Sequence, residues 1–544
     1  MEDVRAVLDA AQAEALRGAW CVGYLRYEAA PAFDAALVTY PAEGPLAWFA
    51  VHDTALPWPD PLQETPPQLR WQEPITRTAF EAVLAQLQRA ITGGECYQVN
   101  FTAQMKGALS GGASSHALFQ ALQRAQPGGY AAFLDTGDEQ LLSVSPELFF
   151  DWREGRLLTR PMKGTAPRGS NPEDDAAQAQ ALRRSPKERA ENVMIVDLLR
   201  NDLSRIAEPF SVNVPRLFHT EALPAVWQMT SDVEARTRAG CTLADVFAAL
   251  FPCGSVTGAP KVRAMRAIRE LEAGPRGVYC GAMGVLRPGG GATFNVPIRT
   301  VSLRGKEARC GIGSGITSGS VAEAEWQEWR HKRAFLERAS APFEILETLA
   351  LEAGRLRNLD AHLARMAATA AHFGTPWDAM QLHACLQTLR QAHAQGLWRV
   401  RLLLAAGGQF SAQAYAMEAS PAQVRLQLAD RPLDEAHGEF VRFKTTRRAH
   451  YDAFTPTAPD VFDTVLWNTR GEITECTRGN IAMRIEGDWV TPPLACGLLP
   501  GVGRALALRE GRLTERVVRV DALASVQAWA FVNSLRGWID AALV

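Results

Sequence analysis

Hydrophobic and polar positions follow two different periods along this chain. Between residues 76 and 340, short apolar runs with glycine-rich turns alternate with segments of helical period. Segment 186–203, PKERAENVMIVDLLRNDL, predicts a helix, because proline suits a first helical turn and the apolar residues supply one face. Segment 320–339, SVAEAEWQEWRHKRAFLERA, predicts a second helix.

The pattern breaks around residues 335–345, where FLERASAPFEILETL indicates a helix end, a short joint and a new strand. Beyond it, residues 398–408 predict a strand, and 528–540 predict a strand that runs into a turn. Both parts therefore predict an α+β fold. We expect an accessory segment over 1–75 that packs on the first domain, a first domain over 76–340, and a second domain over 341–544.

Composition narrows the class of protein. A chain of 544 residues predicts two to four domains, and 47% hydrophobic with 21% charged residues is ordinary for a soluble protein. The net charge of −2 indicates neither a nucleic-acid nor a membrane partner. The acidic start lacks signal-peptide features, and no apolar run reaches membrane-spanning length. The nine cysteines form no Cys-x-x-Cys pair, so we expect no zinc site or disulfide framework, and a cytoplasmic location.

Lysine is rare and therefore informative. The chain has seven lysines, which are Lys106, Lys163, Lys187, Lys261, Lys306, Lys332 and Lys444. Arginine cannot replace a lysine whose amine must lose its proton and attack carbon. Because Lys444 alone follows Lys332, any amine nucleophile in the last 200 or so residues must be Lys444.

Two glutamate pairs and a glycine run are candidates for anion or metal binding. Glu188 and Glu191, and likewise Glu325 and Glu328, lie three residues apart on the two predicted helices. Carboxylates on facing helices could bind Mg²⁺, although spacing alone favours two solvated faces. The run CGIGSGITSGS, residues 310–320, would let backbone N–H groups approach a carboxylate, or would be an ordinary turn.

Eight motifs in the first part resemble chorismate-utilising enzymes over about residues 20–338. In chain order they are GECYQVNFT, SPELFF, TRPMKGTAPRG, ERAENVMIVDLLRNDL, FPCGSVTGAPKVRAM, RGVYCGAMG, FNVPIRT and GIGSGITSGS. The resemblance implies a layered α+β fold with the site between two sheets. Lys163 distinguishes the branch, since anthranilate synthases carry alanine there, and PMKGT is similar to aminodeoxychorismate synthase component I.

The resemblance also implies roles for the residues of this site. Lys163 would be the covalent nucleophile and Glu147 the general acid/base, while Gln98 stands where water-adding relatives have a lysine base. Gln228 replaces a histidine of many relatives, and it cannot transfer a proton at neutral pH. Mg²⁺ would be held by Glu191 and Glu328, with Glu188 and Glu325 nearby or in an outer shell. The substrate carboxylates would contact Arg299, Tyr279, Gly313, Gly315, Lys332 and Thr257, although Tyr279 and Thr257 could simply be core residues.

The second part carries Lys444 at the end of a predicted strand and Glu475 before a turn at Gly479-Asn480. Pyridoxal phosphate requires such residue types, but alone they could be a surface lysine and a helix-capping glutamate. Over residues 341–544 the motifs resemble fold-type IV pyridoxal-phosphate enzymes, whose relatives include branched-chain aminotransferases, and are most similar to 4-amino-4-deoxychorismate lyase. These motifs are FEILETL, RNLDAHLARM, KTTRRAHYD, LWNTRGEITECTRGNI, TPPLACGLLPGVGR and VNSLRG.

This second resemblance implies that Lys444 is the Schiff-base lysine, that Glu475 contacts the pyridine nitrogen and that Arg365 binds the phosphate. The Gly479-Asn480 turn and the loop Gly501-Val502-Gly503 would add N–H donors, with Gly503 where many relatives have threonine.

Together the two resemblances predict an enzyme that makes 4-aminobenzoate from chorismate and ammonia in two steps. No Gly-x-Cys-x-Gly elbow of a glutamine amidotransferase is present, so a separate glutaminase subunit is expected. A homodimer through the lyase domain is left open. An aminotransferase or a non-catalytic module in the second part, or an anthranilate synthase in the first, remains an alternative.

Overall fold

A computed structural model describes residues 3–58, 69–109, 114–169, 172–222, 226–340 and 343–544. The chain divides into two units, Met1–Pro342 and Phe343–Val544, each with its own internal contacts. No helix in the described ranges is both long and apolar enough to cross a membrane.

The first unit contains helices and strands in alternation. Its helices are α1 (Asp3–Leu16), α2 (Arg77–Thr92), α3 (Ser115–Ala125), α4 (Pro172–Arg184), α5 (Pro186–Ser204), α6 (Leu243–Leu250), α7 (Lys261–Leu271) and α8 (Ala322–Ser340). Its strands are β1 (Trp20–Leu25), β2 (Ala47–His52), β3 (Gln98–Ala108), β4 (Tyr130–Asp135), β5 (Gln140–Ser145), β6 (Leu148–Arg153), β7 (Arg156–Arg160), β8 (Met162–Pro167), β9 (Asn213–Ala222), β10 (Val226–Arg236), β11 (Gly258–Ala259), β12 (Ala282–Leu286), β13 (Ala292–Asn295), β14 (Thr300–Arg304) and β15 (Glu307–Ile316).

Two sheets form the framework of this unit. One has the order β2-β1-β12-β13-β6-β7-β10-β8 with β9 beside β10, and the other has the order β11-β3-β15-β14-β5-β4. Helices α1, α5 and α6 share one apolar core with the first sheet, and Phe247 of α6 packs on Phe150 and Phe294 there. Helices α2, α3 and α8 share a second core with the other sheet. The layered α+β fold is therefore confirmed for the first unit.

The two helices predicted first from the sequence are confirmed as α5 and α8. Helix α5 begins where the Ser185 side chain accepts the Glu188 backbone N–H, a cap that contributes about 1 kcal/mol, and Pro186 stands in its first turn. The glycine run of residues 310–320 is strand up to Ile316, as part of β15, and only its end forms a turn. Its pairing with β14 ends at Cys310, whereas its pairing with β3 continues to Ile316.

The second unit also mixes both element types. Its helices are α9 (Leu359–Phe373), α10 (Ala379–Ala392), α11 (Glu439–Arg442), α12 (Ala449–Asp452) and α13 (Val502–Arg509). Its strands are β16 (Ile345–Glu352), β17 (Arg355–Leu356), β18 (Leu397–Leu404), β19 (Phe410–Ala416), β20 (Gln423–Leu428), β21 (Asp463–Trp467), β22 (Ile473–Cys476), β23 (Asn480–Ile485), β24 (Asp488–Thr491), β25 (Thr514–Glu515), β26 (Ala528–Asn533) and β27 (Gly537–Leu543).

These strands form a sheet β17-β16-β18-β19 and a sheet β22-β21-β20-β27-β26-β23-β24-β25. Helices α9 and α10 cover the smaller sheet, where Leu386 and Val400 lie in one apolar core. The predicted strands at 398–408 and 528–540 correspond to β18 and to the β26–β27 hairpin.

Candidate active sites

The first site lies where the two sheets of the first unit meet. Lys163 is on β8 of the nine-stranded sheet, whereas Gln98 on β3 and Gly315 on β15 belong to two adjacent strands of the six-stranded sheet. Glu147 lies in the short link between β5 and β6, which belong to different sheets. Residues far apart in sequence are therefore brought to one place by the sheet arrangement.

Gly315 makes room for the amine of Lys163. A side-chain Cβ at residue 315 would lie 2.8 Å from Lys163 Nζ and 2.7 Å from Gln98 Nε2. The Gln98 side chain is fully buried, and neither its amide nitrogen nor its oxygen has a hydrogen-bond partner among the described residues. Because a buried amide without partners is costly, this side chain is suited to a bound polar ligand next to the amine.

The backbone that carries Lys163 is held from two neighbouring elements. Gln228 Nε2 on β10 donates to the Gly164 carbonyl at 2.9 Å, and the Thr165 hydroxyl donates to Gln228 Oε1 at 3.2 Å. Asn192 Nδ2 on α5 donates to the Lys163 carbonyl at 3.4 Å. Gly164 has a φ of +99°, which favours glycine. Gln228 thus fixes the position of β8 through hydrogen bonds to Gly164 and Thr165.

Glu147 is a buried carboxyl group next to the amine. Burial raises its pKa to about 6, while the Ser255 hydroxyl, which donates to Oε1 at 2.6 Å, and the charge of Lys163 act in the opposite direction. A carboxyl group with a pKa near neutral pH can both give and take a proton, as a general acid/base must.

The four predicted metal-site glutamates lie on α5 and α8. Burial raises the pKa of Glu188 and Glu191, and repulsion from Glu328 acts in the same direction on both. Their electrostatic coupling indicates that the two helices bring these carboxylates near one another and near Lys163. Glu325 differs, because it already accepts hydrogen bonds from Ser314 and Ser320, each at 2.7 Å.

Lys332 pairs with one of the predicted metal ligands. Its amine lies 2.6 Å from Glu328 Oε1 and donates to the Gly313 carbonyl at 3.0 Å. Burial opposes ionisation of Glu328, but Lys332 holds its pKa below the ordinary value. Gly313 packs closely on β3, where a Cβ would lie 2.5 Å from the Phe101 carbonyl oxygen.

Mg²⁺ suits the donor set on these helices. No group of three His, Cys, Asp or Glu side chains in the described ranges is arranged as a metal site. Mg²⁺, however, usually takes one or two carboxylates and completes its shell with water and substrate oxygens. The mutual repulsion of Glu188, Glu191 and Glu328 would be relieved by a cation between them.

Three predicted substrate contacts have other partners here. The Thr257 hydroxyl donates to the Cys253 carbonyl at 3.0 Å, and the Tyr279 ring packs on Gly311, where a Cβ would lie 2.3 Å from it. Arg299 has a φ of +48° and donates to the Gln126 side chain. Burial and Arg338 lower the Arg299 pKa to about 10. These substrate roles stay predictions.

The second site centres on Lys444. The prediction of a strand that ends at Lys444 was wrong, because the segment before this residue forms the short helix α11. The next residue, Thr445, forms an isolated β-bridge with Ile345 of β16. Burial lowers the pKa of Lys444 to about 7, and the charges of Arg365 and Arg448 act in the same direction. A large fraction of this amine is therefore neutral at neutral pH, as a nucleophile requires.

Glu475, on β22, is close enough to Lys444 for the two charges to affect each other. Its side chain is 2% exposed and accepts the Tyr451 hydroxyl at 2.6 Å and the Leu499 N–H at 3.1 Å. Asn480 Nδ2 donates at 3.4 Å to Oε2, the same oxygen that accepts the Leu499 N–H, whereas the Tyr451 hydroxyl donates to Oε1. Burial raises the pKa of Glu475 to about 8, so a cationic ring nitrogen beside it would favour the ionised form.

Arg365 of α9 is fixed by a buried carboxylate. It donates to both oxygens of Glu347, at 2.8 and 2.6 Å, and to the Pro500 carbonyl at 3.0 Å. His362 Nδ1 lies 2.6 Å from Glu347, and its Nε2 lies 2.8 Å from the Ser534 hydroxyl. Burial opposes ionisation of Glu347, but Arg365 and His362 hold its pKa at about 2.

A helix start completes the second site. Gly501 precedes α13, and Val502 and Gly503 form its first turn, whose N–H groups favour a phosphate. A Cβ added to Gly501 would lie 1.9 Å from Asn480 Oδ1, and a Cβ added to Gly503 would lie 2.6 Å from the Asn533 backbone, so a side chain at either position would displace a neighbouring group. Gly479 similarly packs on the Phe531 ring. The buried amine, the carboxylate, Arg365 and this helix start fit pyridoxal phosphate.

Sequence reasoning missed several residues that support these sites. Ser255, Glu347 and Tyr451 each hold a predicted site residue through a hydrogen bond or ion pair, and His362 in turn holds Glu347. Glu347 could have been noticed as a charged residue inside the apolar strand segment ILETLAL. The other three carry no such signal, since serine, histidine and tyrosine are ordinary in their segments.

Comparison with known proteins separates the same two regions. Residues 2–338 match the family model described as chorismate binding enzyme, and residues 344–544 match the model described as amino-transferase class IV. An aminodeoxychorismate synthase component 1 of Klebsiella aerogenes is 43% identical over 258 residues, which are 47% of this chain and 57% of that protein. The chain thus spans little more than half the length of that relative.

Two further proteins resemble a larger part of the chain. An anthranilate synthase component 1 of Methanothermobacter marburgensis is 32% identical over 363 residues, covering 62% of this chain and 78% of that protein. The solved anthranilate synthase component I of Streptococcus pneumoniae TIGR4 covers 60% of this chain and 85% of its own, with a TM-score of 0.54 and 26% identity. The chain therefore belongs to the chorismate-binding enzyme family, and a class IV aminotransferase domain follows in the same polypeptide.

Proposed function

We propose that the chain converts chorismate and ammonia to 4-amino-4-deoxychorismate in the first unit, and then releases pyruvate to give 4-aminobenzoate in the second. The observation that carries the proposal is the Lys163 amine, which lies close to Gly315 and to the Gln98 amide, a group without a hydrogen-bond partner among the residues that the structure describes. An amine at this place can add to the ring, which alanine at the same position cannot do.

In the first reaction, Lys163 Nζ forms a bond to the ring carbon next to the carboxylate-bearing carbon. The hydroxyl at C4 leaves as water with a proton from Glu147. Ammonia then bonds to C4, and the lysine amine leaves the ring with its electron pair. Glu147 regains a proton as ammonia loses one, so the enzyme returns to its starting state.

Glu191 and Glu328 would hold Mg²⁺, with Glu188 and Glu325 around them. The cation would bind the substrate carboxylate and neutralise its charge. Lys332, which lies between Glu328 and Gly313, would bind the same end of the substrate. Arg299 and Tyr279 would hold the enolpyruvyl carboxylate.

In the second reaction, pyridoxal phosphate supplies an electron sink for carbanion chemistry. Lys444 would bind it covalently and move protons, Glu475 would hold its ring nitrogen, and Arg365 with the start of α13 would bind its phosphate. The neutral form of Lys444 is the reactive one, and burial favours that form.

We place these reactions in the cytoplasm, as a step toward folate, with ammonia supplied by a separate glutaminase subunit. An aminotransferase is the second candidate for residues 344–544, because the matching family model is described as class IV aminotransferase. The two candidates differ in product: a lyase releases pyruvate without an acceptor, whereas an aminotransferase requires a 2-oxo acid.

Incubation with chorismate, ammonium, Mg²⁺ and pyridoxal phosphate tests the proposal. Fluorescence should show 4-aminobenzoate, and pyruvate should form in equal amount without any added 2-oxo acid. Anthranilate as the product would contradict the first assignment. Accumulation of aminodeoxychorismate with transamination of amino acids would contradict the second.

A further inference from the structure

The side-chain hydroxyl of Ser255 contacts Glu147, the proposed general acid/base. Ser255 belongs to a short helical turn, Gly254–Val256, and is 4% exposed. Its Oγ donates to Glu147 Oε1 at 2.6 Å, and the Cys253 Sγ lies 3.2 Å from the same hydroxyl oxygen. The three buried groups form a row that ends on the carboxylate.

The direction of the hydrogen bonds in this row follows from chemistry. An ionised carboxylate only accepts, so the Ser255 proton must point toward Glu147. The hydroxyl oxygen can then accept from the Cys253 thiol. Burial, together with the Glu147 charge, raises the pKa of this thiol to about 12, which keeps it a protonated donor.

We propose that Ser255 is a positioning residue for Glu147, holding Oε1 so that the carboxyl group is aimed at the substrate and its ionised form is stabilised between proton transfers. This proposal rests on the proposed function of the first unit. Hydrogen bonds between a neutral donor and a charged acceptor are short and strong, as the distance here indicates.

The surroundings of Glu147 show why one hydroxyl matters. Burial drives the carboxyl group toward its neutral form, and four influences act against it. In order of decreasing size these are the Ser255 hydroxyl, the charge of Lys163, the Met162 backbone hydrogen bond and the charge of Lys332. Burial raises the pKa of the Cys253 and Cys280 thiols to about 12, and the charge of Glu147 acts in the same direction, so both thiols stay protonated. Of the four, the hydroxyl counteracts burial most.

The test is the pH dependence of kcat/KM for aminodeoxychorismate formation at constant free ammonia, in wild type and Ser255→Ala. In Ser255→Ala the limb that reports Glu147 should move up by about one pH unit, because a hydrogen bond to a charged group is lost. We expect kcat to fall about tenfold or more and KM for chorismate to change less than about threefold. Ser255→Thr, which keeps a hydroxyl, should restore the wild-type profile.

Ser143→Ala is the matched control, since Ser143 is fully buried on β5 and contacts Thr300 and Asn295 instead of Glu147. In a Glu147→Gln background, Ser255→Ala should produce no further shift. An unchanged profile in Ser255→Ala, or an equal shift in Ser143→Ala, would overturn the proposal.

A readout without turnover separates this proposal from the proposed function. Infrared difference titration of wild type against Glu147→Gln reports ionisation of that carboxyl group directly. If wild type makes no aminodeoxychorismate, the proposed function fails, but the titration still decides the hydrogen-bond role. A Glu147 pKa that is the same with and without the Ser255 hydroxyl would end the proposal in either case.

Discussion

The surroundings of the Lys163 amine suit the nucleophile role that we propose for this residue. Gly315 leaves space beside Nζ, and the Gln98 amide lies next to it without a partner among the described residues. Lys163→Ala should reduce aminodeoxychorismate formation to background while the circular dichroism spectrum is unchanged. Lys163→Arg should fail equally, because a guanidinium stays protonated. Lys106→Ala, on the exposed end of β3, is the control; wild-type turnover in Lys163→Ala would refute the role.

At Lys444 the residue-scale prediction concerns pH. Its pKa of about 7 means that the reactive neutral amine forms as pH rises from about 6 to 8. The rate of pyridoxal phosphate incorporation into apoenzyme should therefore rise through this window and level off above it. Borohydride should then fix the cofactor on the peptide containing Lys444, as mass spectrometry can show. A rate that continues to rise toward pH 10, or a label on Lys332, would contradict the assignment.

At the scale of elements, α5 and α8 together predict a magnesium requirement. Glu191→Gln or Glu328→Gln should raise the Mg²⁺ concentration for half-maximal synthase activity by about 10–100-fold and weaken chorismate binding, because each removes one carboxylate charge. Glu323→Gln is a control on the same helix, since Glu323 pairs with Arg77 at the surface. Wild-type Mg²⁺ activation in Glu328→Gln would mean that the cation is held elsewhere.

The ion pair between Glu347 on β16 and Arg365 on α9 leads to a second prediction. Glu347→Gln leaves the partly buried Arg365 without its counter-charge, so the second unit should lose about 3–5 kcal/mol of unfolding free energy. Glu352→Gln, at the exposed end of β16, breaks only a surface pair with Arg357 and should cost less than about 1 kcal/mol. Denaturant titrations followed by circular dichroism can measure both. Equal effects would show that Glu347 is not the anchor of Arg365.

The contribution of Glu347 to the unfolding free energy should depend on pH. The pKa of Glu347 is about 2 in the folded chain, below the ordinary value of 4.5. Its ionisation therefore stabilises the fold fully above about pH 4.5, and the contribution is lost as pH falls toward 2. In Glu347→Gln this part of the acid dependence should be missing.

At the scale of the whole molecule, we expect each unit to catalyse its reaction when the other unit is inactive. Lys444→Ala should accumulate aminodeoxychorismate, whereas Lys163→Ala should still convert added aminodeoxychorismate to 4-aminobenzoate. Mixing the two inactive variants should restore 4-aminobenzoate, because a released intermediate can move between chains. Loss of both reactions in either single variant would contradict the division of labour.

The sequence by itself determined the local features of this protein. The helical periods of α5 and α8 were readable from residue order, because a helix is set by neighbours three and four positions apart. The motifs and the scarcity of lysine also made Lys163 and Lys444 the candidate amines, and their roles stay predictions. Local order was insufficient for the glycine run, because pairing with β3 makes it a strand.

Only the tertiary structure decided which groups meet. Ser255 and Glu147 are 108 positions apart in the sequence. The Lys163 amine and the Gln98 amide both lie beside Gly315 only because the two sheets that contain β8 and β3 approach each other there. Arg365 was expected at a phosphate, yet its contact with Glu347 could not be read from either residue alone. Hydrogen bonds and charge effects act over a few ångströms in space, so long-range packing determines the pKa values and the partners of these residues.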